Sequence, residues 1–197
     1  ITETRPQFIC AYLRYRAGWL DAREISSGDY TVTSTGTDPL IYRNSGNTNE
    51  YFIIENRYQS GYDAEIPVSG LAIWHVDQAG SNNNQEMTQA SHYECTLVQA
   101  DGNWDLEKMV NNGDATDLYS ASVKTSLDDT TSPNAKWWDG TESGLKLSAI
   151  SAPGTSMTLT VGSGSSSSNN TPVASDQSVS TTTDTAVSIN LTATDAD

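Results

Sequence analysis

Positive charge is the scarcest commodity in this chain. Only 10 of its 197 residues are Lys or Arg, against 25 Asp or Glu, which leaves a formal net charge of −15. Such a surface repels phosphate backbones and anionic lipid headgroups, and this argues against nucleic acid and anionic membranes as partners. Long hydrophobic runs are missing too: nothing approaches the roughly 20 apolar residues of a membrane span. No signal peptide opens the chain at Ile1. Cysteine is limited to Cys10 and Cys95, widely separated; the pair admits a disulfide, but the apolar contexts of both favour buried free thiols. With 2 His and 2 Cys, all scattered, a four-ligand structural zinc site from His75, His92, Cys95 and Asp77 is not expected. A serine triad built on His75 and Asp77 lacks a nucleophile-elbow motif to anchor it. What survives these exclusions is a soluble secreted protein, or one that binds cations.

The chain is organised around residues 50–77, EYFIIENRYQSGYDAEIPVSGLAIWHVD. Two strand-length apolar runs, 51–54 and 71–76, are joined by a polar segment with Gly61, Asp63, Pro67 and Gly70. Both faces of the second run are apolar, which predicts an interior strand that surfaces at His75 and Asp77. The first run ends in Glu55, Asn56 and Arg57. These two strand mouths are where chemistry or a metal is expected, and a strand-end Arg among carboxylates predicts a structural clamp of Glu55, Arg57, His75 and Asp77.

Residues 6–17 are the best helix candidate, with Pro6 in the first turn, Phe8, Ile9, Tyr12, Leu13 and Tyr15 as an apolar stripe, and Gly18 as the stop. From Tyr30 onward short β-type runs follow at 30–33, 40–43, 51–54, 71–76, 96–99, 145–150 and 157–161, separated by Gly, Asn, Asp, Ser and Pro. Seven such runs predict a mainly β fold, an antiparallel β-sandwich over 21–162 with one N-terminal helix. The Gly/Ser/Asn run GSGSSSSNN at 162–170 marks a linker, placed at 163–171, and 172–197 begin a new, incomplete β repeat in which Val187, Ile189 and Leu191 alternate with polar residues. That tail resembles the opening strands of cadherin-like or immunoglobulin-like repeats.

Residues 101–140 are too polar and irregular for ordinary strands, and a loop that long is usually functional or pinned by an ion. Asp101, Asn103 and Asp105 alternate in DGNWDLE, and Asp114 and Asp117 follow in NNGDATD. Oxygens so spaced can converge on Ca²⁺, which takes six to eight oxygen ligands at flexible angles. The pattern departs from an EF-hand at Leu106 and Asn112, where a turn glycine and a closing glutamate would stand. Solvated turns are the plainer reading of the same residues. Trp104, Trp137 and Trp138 sit in polar loops, where they either plug the ends of the sandwich or stack on a sugar or a partner.

Several pieces occur in one order: YFIIENR, GLAIWHVD, LVQADGNWDLE, GDATDLY and SGLKLSAIS, preceded by PQFICAYLRYRAGWL. Together they resemble the region after the catalytic zinc site in secreted bacterial metallopeptidases of the immune inhibitor A type. The resemblance implies that residues 1–20 close a catalytic domain, that 21–162 form its companion sandwich, and that peptide or protein substrates belong to the parent enzyme. It also implies an extracellular location and an upstream catalytic domain as partner. The zinc and its HExxH motif would lie upstream, since no HExxH occurs here, and this chain alone is expected to be inactive. The rival expectation is a sugar- or protein-binding module of an adhesin-like repeat protein.

Overall fold

A computed structural model describes residues 7–81, 86–162, 173–174, 178–188 and 193–194. The chain divides into two compact units, Ile1–Gly164 and Ser165–Asp197, and the division falls inside the stretch read as linker.

The first unit is mainly β. One sheet has the order β1-β3-β4-β5-β6, from Arg23–Glu24, Leu40–Arg43, Glu50–Arg57, Gly70–Asp77 and Cys95–Leu97. A second has β2 (Gly28–Thr33) beside β8 (Ser156–Val161), with β7 (Leu147–Ser148) on its far side. All pairings are antiparallel except β1 with β3, a two-residue contact too short to read from sequence.

The sandwich core follows from strand periodicity. Phe52 and Ile54 of β4 and Leu71 and Ile73 of β5 meet Val32, Met157, Leu159 and Val161 of the second sheet in one buried cluster. The alternate residues Tyr51, Ile53 and Val76 face the other way and are covered by Ala11 and Tyr12 of the single helix. With both faces covered, β4 is buried over its whole length and β5 nearly so. Burying one such Ile or Leu is worth about 1.5–3 kcal/mol, so these two strands anchor the unit. Asn56 ties the two sheets together, its Nδ2 donating to Val32 O at 3.1 Å and to Gly154 O at 2.9 Å.

The helix α1 is shorter than expected: Ala11–Arg16 rather than 6–17. The peptide groups of Phe8 are captured elsewhere, its N–H by Asp63 Oδ1 (3.2 Å) and its carbonyl by Arg57 Nη2 (2.9 Å). Its predicted stripe also splits, since Tyr12 is buried while Ile9 and Leu13 are exposed. A helix of this length is marginal by itself, and tertiary contacts hold it.

Both strand mouths are buried, and the strands run to Arg57 and Asp77. β4 runs through Glu55, Asn56 and Arg57, and β5 through His75 and Asp77, so His75 and Asp77 do not surface (5 % and 7 % exposed). Residues 101–140 contain no strand, as their composition predicts.

In the second unit β9 (Val173–Ala174) pairs antiparallel with β10 (Ala193–Thr194). The strand expected from Val187 to Leu191 is not supported at its first residue, which is exposed and outside any strand. Ile189 and Leu191 lie outside the described residues, as does most of the linker. No helix among the described residues is long and apolar enough to cross a membrane.

Candidate metal centre and its charged neighbours

The four residues expected to form one clamp belong to two clusters. Glu55 points to the helix side of the sheet, where its Oε2 meets Arg14 Nη2 at 2.7 Å. Its Oε1 accepts from the Ala11 N–H (3.0 Å), Trp74 Nε1 (2.9 Å) and Arg57 Nη1 (3.3 Å). The first free N–H of α1 is thus capped by a carboxylate from another strand, where a charge also suits the helix dipole. Arg57 grips Asp63 with two parallel bonds, Nε to Oδ2 at 2.8 Å and Nη2 to Oδ1 at 2.6 Å. Two guanidiniums therefore face two carboxylates, all buried, with nearly every donor matched.

His75 and Asp77 take other partners. His75 Nε2 lies 2.9 Å from Glu50 Oε1, and His92 Nε2 lies 2.9 Å from Asp77 Oδ2. Trp138 stacks on both imidazoles, at 5.0 and 4.3 Å between centroids, while Trp137 is buried against Phe52 at 5.2 Å. Burial holds the His75 pKa below its ordinary value despite the pull of Glu50. Each imidazole is thus held by a carboxylate and stacked on Trp138, with Trp137 buried in the core and Trp104 and Trp138 half-buried.

The acidic loop has a different character. Among the described residues one group of three potential metal ligands stands out: Asp101, Asp114 and Asp117, each offering an oxygen within 4.8 Å of the others. The loop is pinned at both ends. Ala100 N–H donates to Asp117 O at 2.8 Å, and buried Gln99 accepts from Asp105 N–H at 2.8 Å and donates to Glu107 at 2.5 Å. Gly113 has φ +101°, and a Cβ there would lie 3.3 Å from Asp117 Oδ2, so the turn that aims Asp117 inward requires glycine. Trp104 and Met109 adopt left-handed φ of 59° and 55° without being glycine, a local strain that the surrounding loop must sustain.

Inside the group the hydrogen bonds do not close. Asp117 is 4 % exposed; its Oδ2 accepts from the Asp114 N–H at 2.7 Å, but its Oδ1 is buried with no partner. Thr116 Oγ1 stands 2.8 Å from Asp101 Oδ2 and 2.6 Å from Asp114 Oδ1, yet a hydroxyl has one proton to give. Burial, with the charges of Asp114, Asp101 and Asp105, raises the Asp117 pKa above the ordinary carboxylate value. Burial likewise raises Glu107. Asp114, at the rim, is lowered by the Thr116 hydroxyl and N–H. Lys108, the one basic residue between 101 and 117, donates instead to Asn103 O.

Oxygens on opposite sides of a Ca²⁺ ion lie about 4.6–5.2 Å apart, since each sits about 2.3–2.6 Å from the metal. The 4.8 Å grouping fits that span, and the orphaned Asp117 Oδ1 fits the need for a ligand. The other two predicted ligands are placed differently. Asn103 folds back on Asp101 through its N–H and Nδ2, at 3.0 and 2.9 Å, while Asp105 Oδ2 is 3.3 Å from Asn111 Nδ2, which also reaches Asp114. Sequence reasoning missed the roles of Arg14, Asp63 and Glu50, and considered His92 only as a zinc ligand. An arginine inside the apolar run ICAYLRYR is a signal that a buried carboxylate awaits it; the others carry no local mark.

Comparison with family models, with curated proteins and with solved structures finds no match.

Proposed function

We propose that residues 1–162 act as a non-catalytic, calcium-stabilised β-sandwich that braces the catalytic domain of a secreted zinc metallopeptidase. The observation that carries the calcium half is the buried, partnerless Oδ1 of Asp117, a residue grouped with Asp101 and Asp114 and, like them, in no ion pair among the described residues. Ca²⁺ held by these three carboxylates supplies the missing positive charge and ties down a loop with little apolar surface of its own. The bracing half is supported by Ile9, Leu13 and Trp19, apolar side chains exposed by 45, 54 and 71 % on and beside α1 that a neighbouring domain would cover. The peptidase itself enters through the ordered resemblance from Pro6 to Ser151. The chain has no HExxH and cuts no peptide bond alone.

The test is thermal unfolding of the chain in millimolar Ca²⁺, in Mg²⁺ and in chelator. The midpoint should rise in Ca²⁺ and rise less in Mg²⁺, whose strict octahedral demand suits an irregular loop poorly. A midpoint indifferent to all three would remove the calcium reading. Cleavage of casein by the purified chain, abolished by chelator, would remove the non-catalytic one.

A further inference from the structure

Cys10 and Cys95 are far apart in the chain, yet both pack on one apolar cluster, their neighbours Tyr12 and Glu94 are hydrogen-bonded, and each thiol shifts the pKa of the other. Cys10 occupies the N-cap of α1, and Cys95 opens β6, the edge strand of the larger sheet. Independent features bring them together. The Glu55 cluster seats α1 on the sheet, Cys95 is in register with Val76 of β5, and Tyr12 donates to Glu94, the residue before Cys95. Both cysteines are half-buried and pack on the same cluster of Ala11, Tyr12, Ile41, Tyr51, Ile53 and Val76. Both thiols are free, as expected, and nothing local in sequence relates residue 10 to residue 95.

We propose that Cys10 and Cys95 form an intramolecular disulfide that locks α1 to the sheet edge whenever a small-molecule disulfide such as oxidised glutathione is present. The two thiols are chemically unequal. The hydrogen bond from Cys95 lowers Cys10 to about 7, whereas the hydrogen bond to Cys10, with burial, holds Cys95 well above its ordinary value. Cys10 is therefore the thiolate at neutral pH and the attacking group. It attacks one sulfur of oxidised glutathione; that S–S bond breaks, and one glutathione leaves and takes up a proton. Cys95 then loses its proton and attacks Cys10 Sγ, which breaks the mixed disulfide and releases the second glutathione. Two protein thiols are oxidised and one disulfide is reduced to two thiols, so no other electron acceptor is required. The closed loop carries β1 to β5 and restricts the unfolded chain accordingly.

The experiment incubates the full chain in oxidised glutathione at neutral pH, quenches with acid, unfolds, alkylates and weighs it. The expected product has no alkylatable cysteine, a mass lower by two hydrogens, and a Cys10–Cys95 linked peptide. Its melting midpoint should exceed that of the same sample in dithiothreitol by roughly 5 °C or more. Two alkylatable cysteines, or a glutathione adduct that persists on the unsubstituted chain, would overturn the proposal. Two variants test the order of attack. Cys95→Ser should trap glutathione on Cys10, and Cys10→Ser should leave Cys95 unmodified in the folded chain. Equal adducts on both variants, or none on Cys95→Ser, would contradict it. The mass of the unsubstituted chain decides the matter even where a variant fails to fold.

Discussion

The first unit holds two acidic clusters, and a cavity of about 180 Å³ has Arg57 of one and Asp114 and Asp117 of the other in its wall. They solve the problem of buried carboxylates in opposite ways. Around Glu55 and Asp63 the chain brings its own cations, Arg14 and Arg57, and the hydrogen bonds close. Asp101, Asp114 and Asp117 form no ion pair among the described residues, and an oxygen of Asp117 is left without a partner. Burying an unpaired charge is far more costly than burying a matched pair, so the first cluster is complete as folded, and the second is the one to which the calcium proposal is addressed. The difference teaches where to look for a ligand: at the carboxylates whose counter-charges the sequence withholds.

Removing a guanidinium from the balanced cluster should have the largest effect. Arg57→Ala leaves Glu55 and Asp63 short of a partner and frees the Phe8 carbonyl, with an expected loss of about 3–5 kcal/mol in chemical denaturation. That loss should be the same in Ca²⁺ and in chelator; a loss that Ca²⁺ repairs would merge the two clusters into one system. Next comes Ca²⁺ itself, which at a hundred times its dissociation constant should stabilise the unsubstituted chain by about 2.7 kcal/mol.

A smaller effect of inverted sign sharpens the contrast. Asp117→Asn retains an acceptor for the Asp114 N–H and turns an amide donor toward Asp101 and Asp114. In chelator at pH 7 it should stabilise by about 1–2 kcal/mol, while in saturating Ca²⁺ it should be the weaker protein. The pH dependence follows from the raised Asp117 pKa. A carboxyl that binds its proton more tightly when folded contributes stability below its unfolded pKa, and that contribution is lost as pH rises through the folded value. The advantage of Asp117→Asn in chelator should therefore shrink as pH falls from 7 toward the ordinary carboxylate range. His75 acts oppositely: its depressed pKa means that stability falls as pH drops below about 6.5, where the unfolded imidazole charges first. Comparing the two proteins at each pH cancels that contribution. Smallest of all is Asp184→Ala in the second unit, expected to shift stability by less than about 0.5 kcal/mol with or without Ca²⁺.

The fold was legible wherever side-chain period and turn formers agreed. β3 at Leu40–Arg43 and the ends of β8 read directly from sequence. β4 and β5 read short because Glu50, Glu55, Arg57 and Asp77 look like strand ends; they lie inside the sheet because each charge meets a partner there. Those partners are remote, Arg14 at 41 positions from Glu55 and Phe8 at 55 from Asp63, and no local pattern announces them. The acidic loop was legible as a loop because Asp, Asn and Gly crowd a segment with little to bury. Which of its carboxylates converge was not, since that depends on the turn at Gly113 and on Asn103 and Asn111 occupying Asp101 and Asp105 with amide donors.

The most direct measurement is calorimetric titration of Ca²⁺ into the chelator-treated chain, beside Asp117→Asn under the same conditions. The unsubstituted chain should take up Ca²⁺ in a saturable transition of one ion per chain, and Asp117→Asn should show none at the same concentrations. Equal binding by both proteins, or no binding by either, would contradict the claim that the partnerless carboxylate oxygen of Asp117 is a calcium ligand.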